Sequence, residues 1–269
     1  MISIKKINNE IVKPLKLPKI DENKIKGCNL FPNIYSNIFL LAKKMSGKTT
    51  VINKILKCSL NKLSKVYIFC STVYKDSSYI EIIKMLDRKG IEHHEFTSII
   101  ENGVNNLENI IIDLQNHEKM EIEEPKPKIK FIKCDSSSDE EDEYEYKPKK
   151  IAPEVIFLFD DISNELHLPI ISTVLKKNRH YKSKCIISSQ YMNDLKPASI
   201  QQLDYVLIFG GQPTEKLNIL HKQIDLSSPL NIFLEIYHNA TSEKYNFLYV
   251  DVRKEKYRKN FNIEYNLEK

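Results

Sequence analysis

Lys48, Thr49, Asp160 and Asp161 are the residues whose types and surroundings suit chemistry on phosphate. The first two close the stretch Asn37-Ile38-Phe39-Leu40-Leu41-Ala42-Lys43-Lys44-Met45-Ser46-Gly47-Lys48-Thr49-Thr50. Its apolar run, Ile38 to Leu41, predicts a short buried strand, and Val51, Ile52, Ile55 and Leu56 predict a helix directly after the turn. A strand, a turn ending in Gly-Lys-Thr and a helix form the context of a phosphate-binding loop. Backbone N–H groups of such a turn point at an anion, and the helix dipole favours negative charge there. The reading assigns Ala42, Lys43, Lys44, Met45, Ser46, Gly47, Lys48, Thr49 and Thr50 to ATP binding, with Lys48 at the β- and γ-phosphates and the Thr49 hydroxyl on Mg²⁺. One departure is Ala42, at a position where the full pattern has glycine; alanine serves there if its φ stays negative. A chance Gly-Lys-Thr at a strand–helix junction is the plain alternative.

The second acidic pair ends the apolar run Val155-Ile156-Phe157-Leu158-Phe159. A carboxylate at the C-terminal end of a strand near the phosphate loop holds Mg²⁺, usually through water, which is the role expected of Asp160. Asp161 then orients or deprotonates the attacking water, although many hydrolases carry the longer Glu at that position. A strand ending in two turn-forming aspartates is the alternative, and the phosphate loop upstream argues against it. Gln190 ends the run Ile186-Ile187-Ser188-Ser189 and is read as a phosphate sensor or as an amide capping a strand. Arg179, within Lys176-Lys177-Asn178-Arg179-His180, is read as a charge stabiliser acting on a neighbouring subunit or as part of a solvated basic helix end. The expected catalytic set is therefore Lys48, Asp161, Gln190 and Arg179, with Thr49 and Asp160 at the metal.

The elements that must position these residues follow from periodicity. Strands are expected at Lys65–Ser71, Glu92–Phe96, Val155–Asp161, Lys184–Ser189, Tyr205–Phe209 and Phe247–Val252. Helices are expected at Tyr79–Leu86, around Leu107 to Leu114, at 167–180, at 213–223 and at 230–238. Strands alternating with helices predict an α/β fold, a mostly parallel central sheet with helices on both faces. The 269 residues fit one large domain with an insertion, and 41% hydrophobic content suffices for a core. Residues 1–32, with Ile2, Ile4, Ile7, Pro14 and Pro18, read as an edge strand and an extended lead-in; 33–252 form the ATPase domain; 253–269 read as a basic tail. Residues 120–150, with Ser136-Ser137-Ser138-Asp139-Glu140-Glu141-Asp142-Glu143, read as an acidic disordered insertion. Its serines fit the pattern of acidophilic kinases, but a solvated acidic loop is the favoured reading.

The five cysteines form no CxxC pair, which argues against zinc and a disulfide framework and suits a reducing compartment. No apolar run approaches a membrane span and none resembles a signal peptide, so a soluble intracellular protein is expected. Net charge is +5, with acidic residues gathered in the insertion and basic ones in Lys176, Lys177, Arg179 and the stretch Arg253 to Lys259. A core more positive than the total suits sequence-independent contact with nucleic-acid phosphates; lysines that merely solvate the surface are the alternative.

In order and spacing, the phosphate loop, the apolar strand ending in Asp-Asp, the helix ending in Asn-Arg-His and the strand ending in Ser-Gln resemble the DNA-packaging ATPases of large double-stranded DNA viruses and virophages, within the FtsK–HerA superfamily of P-loop NTPases. The resemblance spans about Asn33 to Val252. It implies an ATP- and Mg²⁺-dependent translocase of double-stranded DNA, working as a homo-oligomeric ring with capsid or portal-like vertex proteins, in the virion and host cytoplasm. It matches Lys48 and Thr49 to the P-loop (Walker A), Asp160 and Asp161 to Walker B and Gln190 to the polar sensor. Three alternatives stay open. A nucleoside or nucleotide kinase shares Gly-Lys-Thr but closes an arginine-rich lid, whereas the arginines here are Arg88, Arg179, Arg253 and Arg258. A partition-type ATPase carries a second lysine where Lys43 stands, in a loop richer in glycine. A fold retained without turnover would account for Ala42.

Overall fold

The computed structural model describes residues 21–123 and 150–267. The expected edge strand at Ile2, Ile4 and Ile7 and most of the 120–150 insertion lie outside the described residues. The first half of the chain forms β1 (Asn37–Leu41), α1 (Lys48–Ser59), β2 (Lys65–Cys70), α2 (Ser77–Arg88), β3 (Glu92–Phe96), the small hairpin β4 (Ile100–Glu101) and β5 (Val104–Asn105), and α3 (Asn106–Glu123). The second half forms β6 (Val155–Asp160), α4 (Pro169–Lys176), β7 (Ser183–Ser189), α5 (Pro197–Ile200), β8 (Tyr205–Phe209), α6 (Thr214–Gln223), α7 (Leu230–Ala240), β9 (Phe247–Asp251), β10 (Lys256–Lys259) and β11 (Ile263–Tyr265).

Nine strands join in the order β11-β10-β9-β8-β1-β7-β6-β2-β3. The six from β8 to β3 run parallel, and β9, β10 and β11 extend the sheet antiparallel. The central strands read as unbroken apolar runs because both faces are covered. Ile38, Leu40, Ile68, Leu158, Ile186 and Leu207 pack with Ile52, Ile55 and Leu56 of α1 and Tyr79, Ile82 and Leu86 of α2. Their strand neighbours Phe39, Leu41, Phe69, Phe159, Ile187 and Ile208 turn the other way, onto α3, α4, α6 and α7 through Leu107, Ile171, Val174, Leu217 and Phe233. The expected α/β architecture, a mostly parallel sheet with helices on both faces, is the observed one.

Two expectations change. The helix expected at 167–180 is shorter, because the backbone carbonyl of Asn178 accepts bonds from the Ser183 N–H at 2.8 Å and the Ser183 hydroxyl at 3.2 Å, turning the chain into β7. The basic stretch read as a tail is instead sheet: β10 pairs with β9, and Tyr257 is fully buried. Its cations are also taken. Arg253 lies 2.7 Å from Asp204, Lys254 3.7 Å from Glu22, Lys256 2.8 Å and Arg258 3.3 Å from Glu264, and Lys259 3.6 Å from Glu243. Alternating Lys, Tyr, Arg and Lys suits an outer strand with one face on the core.

Candidate nucleotide site

The C-terminal ends of the parallel strands carry the site, as expected of an open α/β sheet. After β1, the Ala42 N–H donates to the Ser189 carbonyl at 3.0 Å, and Ala42 is buried. Its φ is not among the positive ones, so alanine is tolerated here. Ala42 thus backs the turn from the β7 side and does not line the cleft. The turn then needs left-handed backbone at Met45 (φ 61°) and Gly47 (φ 90°). Gly47 is fixed twice, since a Cβ there would also lie 3.3 Å from the Tyr245 ring. It is the N-cap of α1, and no side chain caps that helix, which leaves the first-turn N–H groups to an anion.

Lys48, the first residue of α1, crosses to β6. Register places Leu40, Ser188, Asp160 and Cys70 side by side on β1, β7, β6 and β2. Asp160 is therefore two strands from the P-loop strand, roughly 10 Å in the sheet plane. The Lys48 side chain spans that gap and places Nζ 2.7 Å from Asp160 Oδ1. The Tyr79 hydroxyl of α2 donates to Asp160 Oδ2 at 2.6 Å. Asp160 is 1% exposed. Asp161 leaves the strand in a left-handed conformation (φ 57°), exposed, with its carbonyl accepting from the Ser71 hydroxyl at 2.8 Å. Beside Asp160, the Ser188 hydroxyl is buried without a protein partner among the described residues.

These groups open on a cleft of about 670 Å³ lined by Lys44, Met45, Gly47, Lys48, Thr49 and Thr50, by Thr72, Lys75, Asp76 and Ser78 after β2, and by Asp160, Asp161 and Tyr245. Lys43 and Ser46 line an adjoining cleft of about 350 Å³ with Gly210, Gly211 and residues 241–246. The donor set suits Mg²⁺, a hard cation that takes oxygen ligands and keeps several waters. A buried carboxylate, a threonine hydroxyl on the same wall and the orphan Ser188 hydroxyl are such oxygens.

Not every expected residue converges here. Gln190 follows β7, which does lie between β1 and β6, but it is half-buried and outside the cleft lining. Arg179 lies in the turn before β7, at the end of the strands opposite the cleft. Sequence reasoning missed Tyr79, Ser188, Thr72 and Tyr245. Tyr79 hides in the apolar stripe of α2 with Ile82, Met85 and Leu86, although a core tyrosine must find its hydroxyl a partner.

The fold is of the P-loop NTPase type. Among solved structures, the genome packaging NTPase B204 from Sulfolobus turreted icosahedral virus 2, in complex with AMP, is similar over 88% of this chain and 100% of its own, with TM-score 0.52 and 16% identity. The same protein in complex with ATP-gammaS, and a structure described as the DNA-packaging ATPase B204 from Sulfolobus Turreted Icosahedral Virus, each align with TM-score 0.49 at 17% identity, over 88% of this chain and 100% of theirs. At this identity the likeness is one of fold. No protein-family model and no curated protein matches the chain. Among the described residues, no helix is long and apolar enough to cross a membrane.

Proposed function

We propose that the chain is an ATP-hydrolysing translocase that moves double-stranded DNA into a viral capsid. The observation that carries the reading is the meeting of Lys48, Asp160 and Asp161 on one cleft, brought together from a P-loop and a strand two places away with β7 between. The B204 likeness in fold supports the packaging context.

In this reading the α1 N-terminus and Lys48 receive the phosphates. Lys48 exchanges Asp160 for the β- and γ-phosphate oxygens, which frees Asp160 Oδ1. Mg²⁺, when bound through Asp160 and Thr49, neutralises charge developing on the transferred phosphoryl group. Asp161, exposed and on the cleft wall, orients the attacking water. Gln190 and Arg179 act, if at all, outside the cleft of their own chain; Arg179 then serves a neighbour in a homo-oligomeric ring.

Grip on DNA is sequence-independent and falls to phosphate contacts. Lys176, Lys177 and Arg179 are exposed and carry no ion pair among the described residues, unlike the Arg253–Lys259 stretch. Capsid or vertex proteins complete the proposed partners. The test is Mg²⁺-dependent ATP hydrolysis with and without double-stranded DNA, at low and high salt. Stimulation at low salt that fades as salt rises is expected. An oligomeric preparation that hydrolyses ATP without any response to DNA overturns the translocase reading. Phosphate transfer to nucleosides in the same preparation favours a kinase.

A further inference from the structure

Asp160 has two partners among the described residues, and they differ in kind. Lys48 stands on the open wall of the cleft, with 21% of its side chain exposed. Tyr79 is 1% exposed, and its ring packs with Ile82, Leu86 and Leu158 beneath the sheet. The Lys48 contact is exchangeable by an incoming phosphate; the Tyr79 contact has no route to exchange. Resting on the nucleotide-hydrolase reading, we propose that Tyr79 is the positioning residue of the metal-binding carboxylate, its O–H occupying Oδ2 so that Asp160 offers Oδ1 alone to the cleft.

The geometry supports this in three ways. A carboxylate accepts at both oxygens, so one anchored on a single side keeps its rotation when the other partner leaves. A buried carboxylate that lost Lys48 with nothing else bound would be left unpaired, which is costly; the Tyr79 bond persists through the exchange. Tyr79 also follows the segment that lines the cleft with Thr72, Lys75, Asp76 and Ser78. It therefore ties that segment to the carboxylate.

The test is Tyr79→Phe, which keeps the ring in the core and removes the donor. Groups that hydrogen-bond a metal-binding side chain typically hold 10–100-fold in metal affinity, so the Mg²⁺ concentration for half-maximal hydrolysis should rise at least about tenfold. Mn²⁺ binding to the ADP complex, followed by electron paramagnetic resonance, should weaken in parallel. KM for ATP at saturating Mg²⁺ should stay within about twofold, because the phosphate donors of the loop are untouched. A merely structural tyrosine would lower the melting temperature and leave the Mg²⁺ dependence as in the wild type; that result overturns the proposal. A wild-type protein that neither binds nor hydrolyses Mg²⁺·ATP overturns the hydrolase reading and this role with it, whereas an active wild type beside an unaltered Tyr79→Phe overturns this role alone. Should the variant not fold, 3-fluorotyrosine placed at position 79 retains the hydroxyl. Its fluorine resonance should move further with Mg²⁺ and ADP than with ADP alone, and equal spectra in the two cases overturn the proposal.

Discussion

Asp160 and Asp204 sit at opposite ends of the parallel strands, each buried and each 2.7 Å from a cation. Around Asp204 the carboxylate itself is closed in, while its cation, Arg253, is 54% exposed and borders a second cleft. Its Oδ2 accepts the Asn37 N–H at 2.9 Å, and Asn37 Nδ2 donates to the carbonyls of Leu175 at 2.9 Å and Gln202 at 2.7 Å. Burial pushes the Asp204 carboxyl up, while the Asn37 N–H and the Arg253 and Arg179 charges pull against it. This knot ties β1 and β8 to the connection after β9. Around Asp160 the cation lies on a cleft wall, and unfilled donors of a helix N-terminus face the same space. A buried ion pair is therefore no sign of function by itself. The informative difference is what shares the open side of the pair: at Asp160 it is the uncapped N-terminus of the helix that carries Lys48, together with Asp161.

Substitutions at the two ends of the strands should separate cleanly. The largest effect is expected from Lys48→Ala, which should cut ATP turnover about a hundredfold or more by removing one preorganised charge at the phosphates. Arg253→Ala should leave turnover intact. Native turnover in Lys48→Ala would end the P-loop assignment. Next, Asp161→Asn should bind ATP nearly normally yet fail to hydrolyse it, whereas Asp160→Asn should raise the Mg²⁺ requirement. Nucleotide-binding titrations beside turnover measurements distinguish the two, and hydrolysis at the native rate by Asp161→Asn would place the water-activating group elsewhere.

Around Asp204 the expected effects are on stability. Asp204→Ala should cost about 1–3 kcal/mol by leaving the buried Asn37 N–H unsatisfied, read by denaturant unfolding, with turnover per folded molecule retained. The smallest effect is one of slope. Lys184 is fully buried, its Nζ 3.3 Å from the Asn33 carbonyl, and burial holds its ammonium down to about 7 from 10.5. Unfolding between these values takes up a proton, so stability should rise with pH from about 7, by up to about 1.4 kcal/mol per pH unit. From pH 9 the Cys185 thiol, kept protonated by burial up to about 12, acts with the opposite sign. Lys184→Met should flatten the rise between pH 7 and 9; an unchanged slope would show that Lys184 keeps its proton in the fold.

Much of this was legible in the chain, and the misses have physical causes. Ile38–Leu41 before Gly-Lys-Thr and Val155–Phe159 before Asp-Asp announce strands by unbroken apolar runs, and both lie where expected. Residues 256–259 escaped notice because charges on an outer strand look like a solvated tail, and only Tyr257 faces inward. Tyr79 escaped because periodicity records that a residue is buried and not what its hydroxyl meets. Gln190 is read from its place at the C-terminal end of a strand, Arg179 only from its place in a basic helix end near one. Nearness does not say which end of a strand a residue occupies, and Arg179 precedes β7 whereas Gln190 follows it.

The neighbours of β1 also set a timetable. Asn37 pairs with Cys185 and Ile38 with Tyr205, so β1 is made early and seated late. At ribosomal rates of about 5–20 residues per second, Ile38–Leu41 wait on the order of ten seconds for their partners. Contacts so distant along the chain slow the search as well. Nascent chains arrested before residue 183 should therefore be cut by protease within Asn37–Leu41, and those extended past residue 209 should be protected there.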